Sequence, residues 1–158
     1  EEACALPTGG RDGVHLQQWL PLGEPTGIQV EFYHCKYSSE EEPGYRIRDL
    51  YEVCGQAEKS ISWMTTAERQ TDLFRHLLHR DSLRVDRGQP SRIERGDRDL
   101  IFKIREISRL RPVHLKIFIV QPGLSKSVAT RDQLELLNVA ANHLWEMYLL
   151  PFGVIASA

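Results

Sequence analysis

The run His114-Leu-Lys-Ile-Phe-Ile-Val120, bounded by Pro112 and by Pro122-Gly123, constrains this chain more than any other feature. So short and apolar a stretch between turn residues reads as a strand buried in a sheet, extending from Val113 to Gln121. A second strand pattern, Ile28 to Tyr37, alternates cleanly. It sets Ile28, Val30, Phe32, His34 and Lys36 on one face and Gln29, Glu31, Tyr33 and Cys35 on the other. A further strand, Val14 to Leu20, precedes it across a turn at 22–27, and an acidic loop at 38–44 follows it.

Helical spacing fills the interval between the two strongest strands. From Arg46 to about Met64, Ile47, Leu50, Tyr51, Cys54, Ala57, Glu58 and Ile61 form a mainly apolar stripe, with Asp49, Glu52, Gln56 and Ser60 opposite. Gly55 within that helix suggests close packing against a strand or ligand. Thr65-Thr66-Ala67-Glu68 resembles a capping start for a second helix through Arg80, with Phe74, Leu77 and Leu78 inward. Residues 81–97 read as an Arg-rich loop, Arg98 to Leu110 as a third helix, and Thr130 to about Leu149 as a fourth. A short strand, Phe152 to Ser157, closes the order β-β-α-α-α-β-α-β. Strands separated by helices require crossovers, so the expected class is α/β, a mixed central sheet flanked by helices with at least part of it parallel.

The 158 residues suit one domain spanning 1–158. Hydrophobic content of 41% and charged content of 27% exclude a disordered or low-complexity chain. No apolar stretch is long enough to span a membrane. Three cysteines, Cys4, Cys35 and Cys54, form no C-x-x-C pair, which argues against a disulfide framework and a structural zinc and fits a reducing, cytoplasmic setting. The opening Glu1-Glu2-Ala3-Cys4 has no initiator Met and no signal-peptide pattern, as expected of a piece of a longer multidomain protein.

The net charge of −2 conceals an asymmetry. Between Arg69 and Arg111 stand eleven Arg and one Lys against seven acidic residues, whereas the remainder holds eight basic and fifteen acidic residues. The Arg fork grips phosphate at two points, so Arg84, Arg87, Arg92 and Arg95, with Lys126 in the loop Pro122-Gly-Leu-Ser-Lys126, are candidate nucleic-acid contacts. The plain alternative is a solvated, salt-bridged surface, because Asp81, Asp86, Glu94, Asp97 and Asp99 are interleaved with the arginines. The 122–126 loop lacks the spacing of a phosphate loop. His76 and His79 are three apart without a metalloprotease pattern.

Chemistry concentrates at the end of the Ile28–Tyr37 strand. His34 and Lys36 share a face, and Asp12 lies before the preceding strand, where a hairpin could carry it towards them. Carboxylates bind Mg²⁺ or Mn²⁺, and a neighbouring Lys can orient water and stabilise phosphate charge. A hydrogen-bonded strand histidine beside an exposed lysine explains the same pair. Gln56 and Ser60, one helical turn apart, could reach this strand end or be solvated. Cys35 points away from His34, against a Cys–His nucleophile.

Asp12, a hairpin, a strand ending His34-Cys35-Lys36 and a helix carrying Gln56 together resemble the PD-(D/E)xK (restriction-endonuclease-like) nuclease superfamily. The runs Tyr33-His-Cys-Lys-Tyr-Ser38, Asp49-Leu-Tyr-Glu-Val-Cys-Gly-Gln-Ala57 and Val120-Gln-Pro-Gly-Leu-Ser-Lys126 also look like the nuclease-like domain attached to bacterial superfamily 2 helicases of restriction or phage-defence type. The resemblance implies a restriction-endonuclease-like core and hydrolysis of phosphodiesters, DNA foremost, with Mg²⁺ or Mn²⁺. The implied partner is a helicase domain of the same polypeptide or complex, within a defence or repair protein. Position by position, Asp12 would be a metal ligand, His34 a second ligand, Lys36 the catalytic lysine and Gln56 a supporting group. An acidic ligand from a first helix would precede Glu1. His34 stands where the family has Glu, Asp or Gln, and Ser60 stands where some members have Tyr. These departures fit a degenerate domain that binds nucleic acid or docks a protein without cutting.

Overall fold

The structure, a computed structural model, describes residues 3–8, 12–18, 27–36 and 42–158, the first two segments by their backbone alone. The strands are β1 (Ala3–Thr8), β2 (Asp12–Gln18), β3 (Ile28–Cys35), β4 (Val113–Ser125) and β5 (Phe152–Ser157). The helices are α1 (Arg48–Lys59), α2 (Ala67–Val85), α3 (Arg98–Ile107) and α4 (Arg131–Tyr148), with a 3-10 turn at Ser60–Met64 after α1. One sheet takes the order β1-β2-β3-β4-β5. β1 and β2 are antiparallel, with Thr8 opposite Asp12. β4 and β5 are parallel, with Ile117 opposite Phe152. β3 follows β4 in the same sense: Ile28 N–H donates to Pro112 O at 2.9 Å and Lys36 N–H to Val120 O at 3.2 Å. The expected mixed α/β class therefore holds, as an antiparallel hairpin joined to a three-stranded parallel group flanked by helices. No helix among the described residues is long and apolar enough to cross a membrane.

Two compact units divide the chain, residues 1–31 with 62–115, and residues 32–61 with 116–158. β3 and β4 each begin in the first and end in the second. In the first unit α2 packs on α3, burying Leu73, Phe74, Leu77 and Leu78 of one and Ile101 and Ile104 of the other. In the second, α1 packs on α4 and α4 on β5, burying Leu50, Val53, Cys54 and Ala57 of α1 with Ala140 and Leu144 of α4. Burial, and to a lesser degree the charge of Glu58, push the Cys54 thiol up to about 11, so it acts as a small apolar residue.

Caps fix the helix starts. Thr66 Oγ1 accepts from Arg69 N–H at 3.2 Å at the head of α2, and Asp97 Oδ1 from Leu100 N–H at 2.7 Å at the head of α3. Thr130 and Gln133 form a reciprocal capping box on α4.

Four expectations need correction. β1 is a strand that the sequence pattern did not suggest. α2 runs to Val85 instead of ending at Arg80, because Asp81 turns inward and is buried. The Pro122-Gly123 pair does not end β4: the pairing with β5 jumps from Gln121 to Ser125, and the irregularity absorbs the proline, which has no N–H to give. Gln121 Oε1 takes the Gly123 N–H at 2.9 Å, and Ser157 Oγ donates to Pro122 O at 2.8 Å. Finally, a Cβ at Gly55 would meet nothing within 4 Å, so no close approach requires that glycine. The 22–27 turn and the 38–44 loop fall largely outside the described residues.

Candidate active site at the end of β3

The predicted alternation of β3 is present residue by residue, with Ile28, Val30, Phe32 and His34 buried. His34 is 7% exposed and its ring lies 6.2 Å from that of Phe32, at an interplanar angle of 21°. A buried hydrogen bond of 2.8 Å links His34 Nε2 and Ser60 Oγ. Tyr33, on the opposite face, stacks on Phe118 at 4.9 Å.

Two residues further on, Lys36 meets a partner that sequence reasoning left among the polar positions of the first helix. Its Nζ lies 2.5 Å from Glu52 Oε2, with both side chains partly exposed. Arg48 approaches the other oxygen of Glu52 at 3.5 Å. The hydrogen bond from Lys36, and then its charge, hold the Glu52 carboxyl below the usual carboxylate range.

The spacing of Glu52, Gln56 and Ser60 makes these contacts one motif. Residues four apart share a helix face, so the three form a row that continues from α1 into the 3-10 turn. The row meets Lys36 at its Glu52 end and His34 at its Ser60 end. Gln56 occupies the middle position. Its Oε1 is buried and accepts no hydrogen bond from the described residues. The Glu52 signal was present in the sequence as the i, i+4 relation to Gln56; what was absent was a reason to single out one carboxylate among several on that face.

Asp12 is the first residue of β2, which neighbours β3 in the sheet and pairs antiparallel with β1, and its side chain lies outside the described residues. Among the described residues no three His, Cys, Asp or Glu side chains gather to hold a metal ion. Besides Ser60 Oγ, which His34 Nε2 engages, the oxygen donors on the row are the Glu52 carboxylate and the Gln56 carboxamide, whose Oε1 has no hydrogen-bond partner among the described residues. Both are hard ligands of the kind Mg²⁺ and Mn²⁺ accept, and so fit part of a divalent-cation shell.

The Arg-rich segment is more internally bonded than its charge count suggests. Asp81, 4% exposed, accepts from Ser91 Oγ at 2.8 Å and Arg92 N–H at 3.0 Å, with Arg98 Nη1 at 3.5 Å. Arg98 Nη2 also donates to Ser82 Oγ at 2.7 Å. Arg84 Nε donates to Pro90 O at 2.7 Å and its Nη1 to Gln89 Oε1 at 2.9 Å, so this side chain braces its own loop. Arg87, Arg95 and Lys126 are exposed, and Arg92 is half-buried.

Comparison with protein-family models, curated proteins and solved structures finds no match for this chain.

Proposed function

We propose that this chain is a metal-dependent nuclease domain on a restriction-endonuclease-like core, hydrolysing nucleic-acid phosphodiesters, DNA foremost, as a module of a helicase-type defence or repair protein. The observation that carries this reading is the lysine at the end of a core strand, ion-paired with Glu52 on the following helix and followed along that helix by a buried Gln56 oxygen with no hydrogen-bond partner among the described residues. Lys36 would present its ammonium to a non-bridging phosphate oxygen and stabilise the charge that develops there. Glu52 holds that ammonium in place at the strand end. Asp12 and His34 are the proposed holders of Mg²⁺ or Mn²⁺, with Gln56 a supporting group beside them; the ion when bound supplies Lewis-acid polarisation and a more acidic water. Arg87, Arg92, Arg95 and Lys126 would contact the nucleic-acid backbone, giving salt-dependent and sequence-tolerant affinity.

A second reading has its own support. His34 Nε2 is engaged by Ser60 and Lys36 by Glu52, as in a fold that has turned its catalytic positions into structural ones and now only binds. Incubation with single- and double-stranded DNA and Mg²⁺ or Mn²⁺, beside Lys36→Ala and Asp12→Ala, separates the two. The nuclease reading expects cleavage that falls at least about a hundredfold in Lys36→Ala, the scale seen when a charge-stabilising donor is removed. Salt-sensitive binding that Lys36→Ala leaves intact, with no cleavage by the parent, would decide for the binding domain.

A further inference from the structure

A cavity of about 430 Å³ in the 62–115 part of the chain is lined by Trp63, Arg69, Asp72, Arg75, His76 and His79. Its volume falls in the range, roughly 300–1,000 Å³, that small-molecule sites occupy. Trp63 and His76 form its aromatic wall, their ring centroids 5.2 Å apart and tilted by 38°. Burial, and then the charges of Arg80 and His79, push the His76 imidazole below its ordinary value.

The cations here run against the local structure. Arg69 lies in the first turn of α2, where the helix dipole disfavours positive charge, and its guanidinium has no partner among the described residues. Its backbone N–H alone is used, by the Thr66 cap. Arg75 is held by Asp72 at 3.1 Å and remains 65% exposed. One Asp against two Arg leaves the lining positive, beside an indole. Aromatic face plus guanidinium is the pairing that recognises a base and its phosphate.

We propose that this cavity binds a phosphate-bearing nucleobase, the base packing against the Trp63 and His76 rings and the phosphate lying between Arg69 and Arg75. Asp72 then accepts from an exocyclic amine of the base. The occupant is either a free nucleotide or one residue of a single strand. The inference leans on the nucleic-acid reading above only for this choice of occupant, and Lys36 plays no part in it.

The test uses Trp19→Phe/Trp145→Phe protein, in which Trp63 is the sole indole, titrated at low salt with four probes. These are deoxyadenosine 5′-monophosphate, deoxyadenosine, inorganic phosphate and a short single-stranded oligodeoxyadenylate. The expected result is saturable quenching of Trp63 by the nucleotide or the oligonucleotide, at least about tenfold weaker for the nucleoside and absent for phosphate. Equal affinity per base for nucleotide and strand identifies a nucleotide site, and saturation by the strand alone identifies a strand contact. Arg69→Ala and Arg75→Ala, both at exposed positions, should each weaken binding about tenfold with melting temperature unchanged. The proposal is overturned if neither nucleotide nor strand quenches saturably, or if quenching survives the Arg69→Ala/Arg75→Ala double substitution. A Lys36→Ala arm keeps the two readings apart: the nuclease reading fails if the parent does not cleave, and quenching of Trp63 should be the same in the parent and in Lys36→Ala whether or not cleavage is seen.

Discussion

The two compact units handle positive charge in opposite ways. In the unit of residues 32–61 and 116–158, one lysine at a strand end meets one carboxylate on a helix row. In the 62–115 stretch, arginines are abundant, yet the best-buried polar group is an aspartate. Asp81 has been removed from water, and a buried carboxylate must be compensated by several donors. It recruits Ser91, the Arg92 amide and Arg98, and in doing so folds the arginine-rich loop into scaffold. Net charge in a segment therefore overstates the charge available to a ligand. The measure that matters is which guanidinium groups remain after the buried acid and the loop carbonyls have been satisfied. By that measure Arg84 and Arg98 are structural, while Arg69, Arg87 and Arg95 remain available.

The sharpest way to break this contrast is Asp81→Ala. Loss of charge-assisted bonds to Ser91, Arg92 N–H and Arg98 should cost about 2–3 kcal/mol in denaturant unfolding and speed amide exchange in the loop that follows α2. Asp81→Asn, which keeps one acceptor, should cost about half as much. A cost under about 0.5 kcal/mol for Asp81→Ala would mean that the loop is not held by this carboxylate, and the arginines would again be a free field.

The next effect tests the other unit. Ser60→Ala removes the buried hydrogen bond to His34 Nε2 and should destabilise by about 1–2 kcal/mol. His34→Leu combined with Ser60→Ala removes donor and acceptor together, so the double variant should be less damaged than the sum of the two singles. Strict additivity would show that the bond contributes nothing. The row would then lose its C-terminal anchor.

The sequence made some of this legible and hid the rest for physical reasons. The alternation of β3 follows from its burial pattern, and the α4 start from Thr130 and Gln133, because each is a local property with a fixed period or spacing. β5 at Phe152–Ser157 was legible in the same way. β1, Ala3-Cys-Ala-Leu-Pro-Thr8, has small residues and a proline in place of alternation, and it is a strand because β2 pairs with it. Asp81 broke the helix expectation because an acid on an inward position looks like a loop residue until its donors, ten and eleven positions later, are known. Glu52 was visible as a polar helix position, but its pairing with Lys36 needs α1 to lie against the end of β3, which no local spacing encodes.

The smallest expected effect concerns that ion pair. Both partners are substantially exposed, so Glu52→Gln should shift the unfolding midpoint little. The informative readout is the Glu52 carboxyl titration followed by carbon NMR. Its pKa should lie below the ordinary value of 4.5 and rise towards it in Lys36→Met, since the Lys36 hydrogen bond and charge are the largest causes of the depression. The linkage has a definite sign. A depressed folded-state pKa contributes stability above the unfolded value, and that contribution is lost as pH falls through the folded one, so any loss on acidification should be smaller in Lys36→Met. A Glu52 pKa unmoved by Lys36→Met would place the lysine in solvent instead of on the row. The second unit would then hold a free cation, and the contrast with the internally bonded arginines would sharpen.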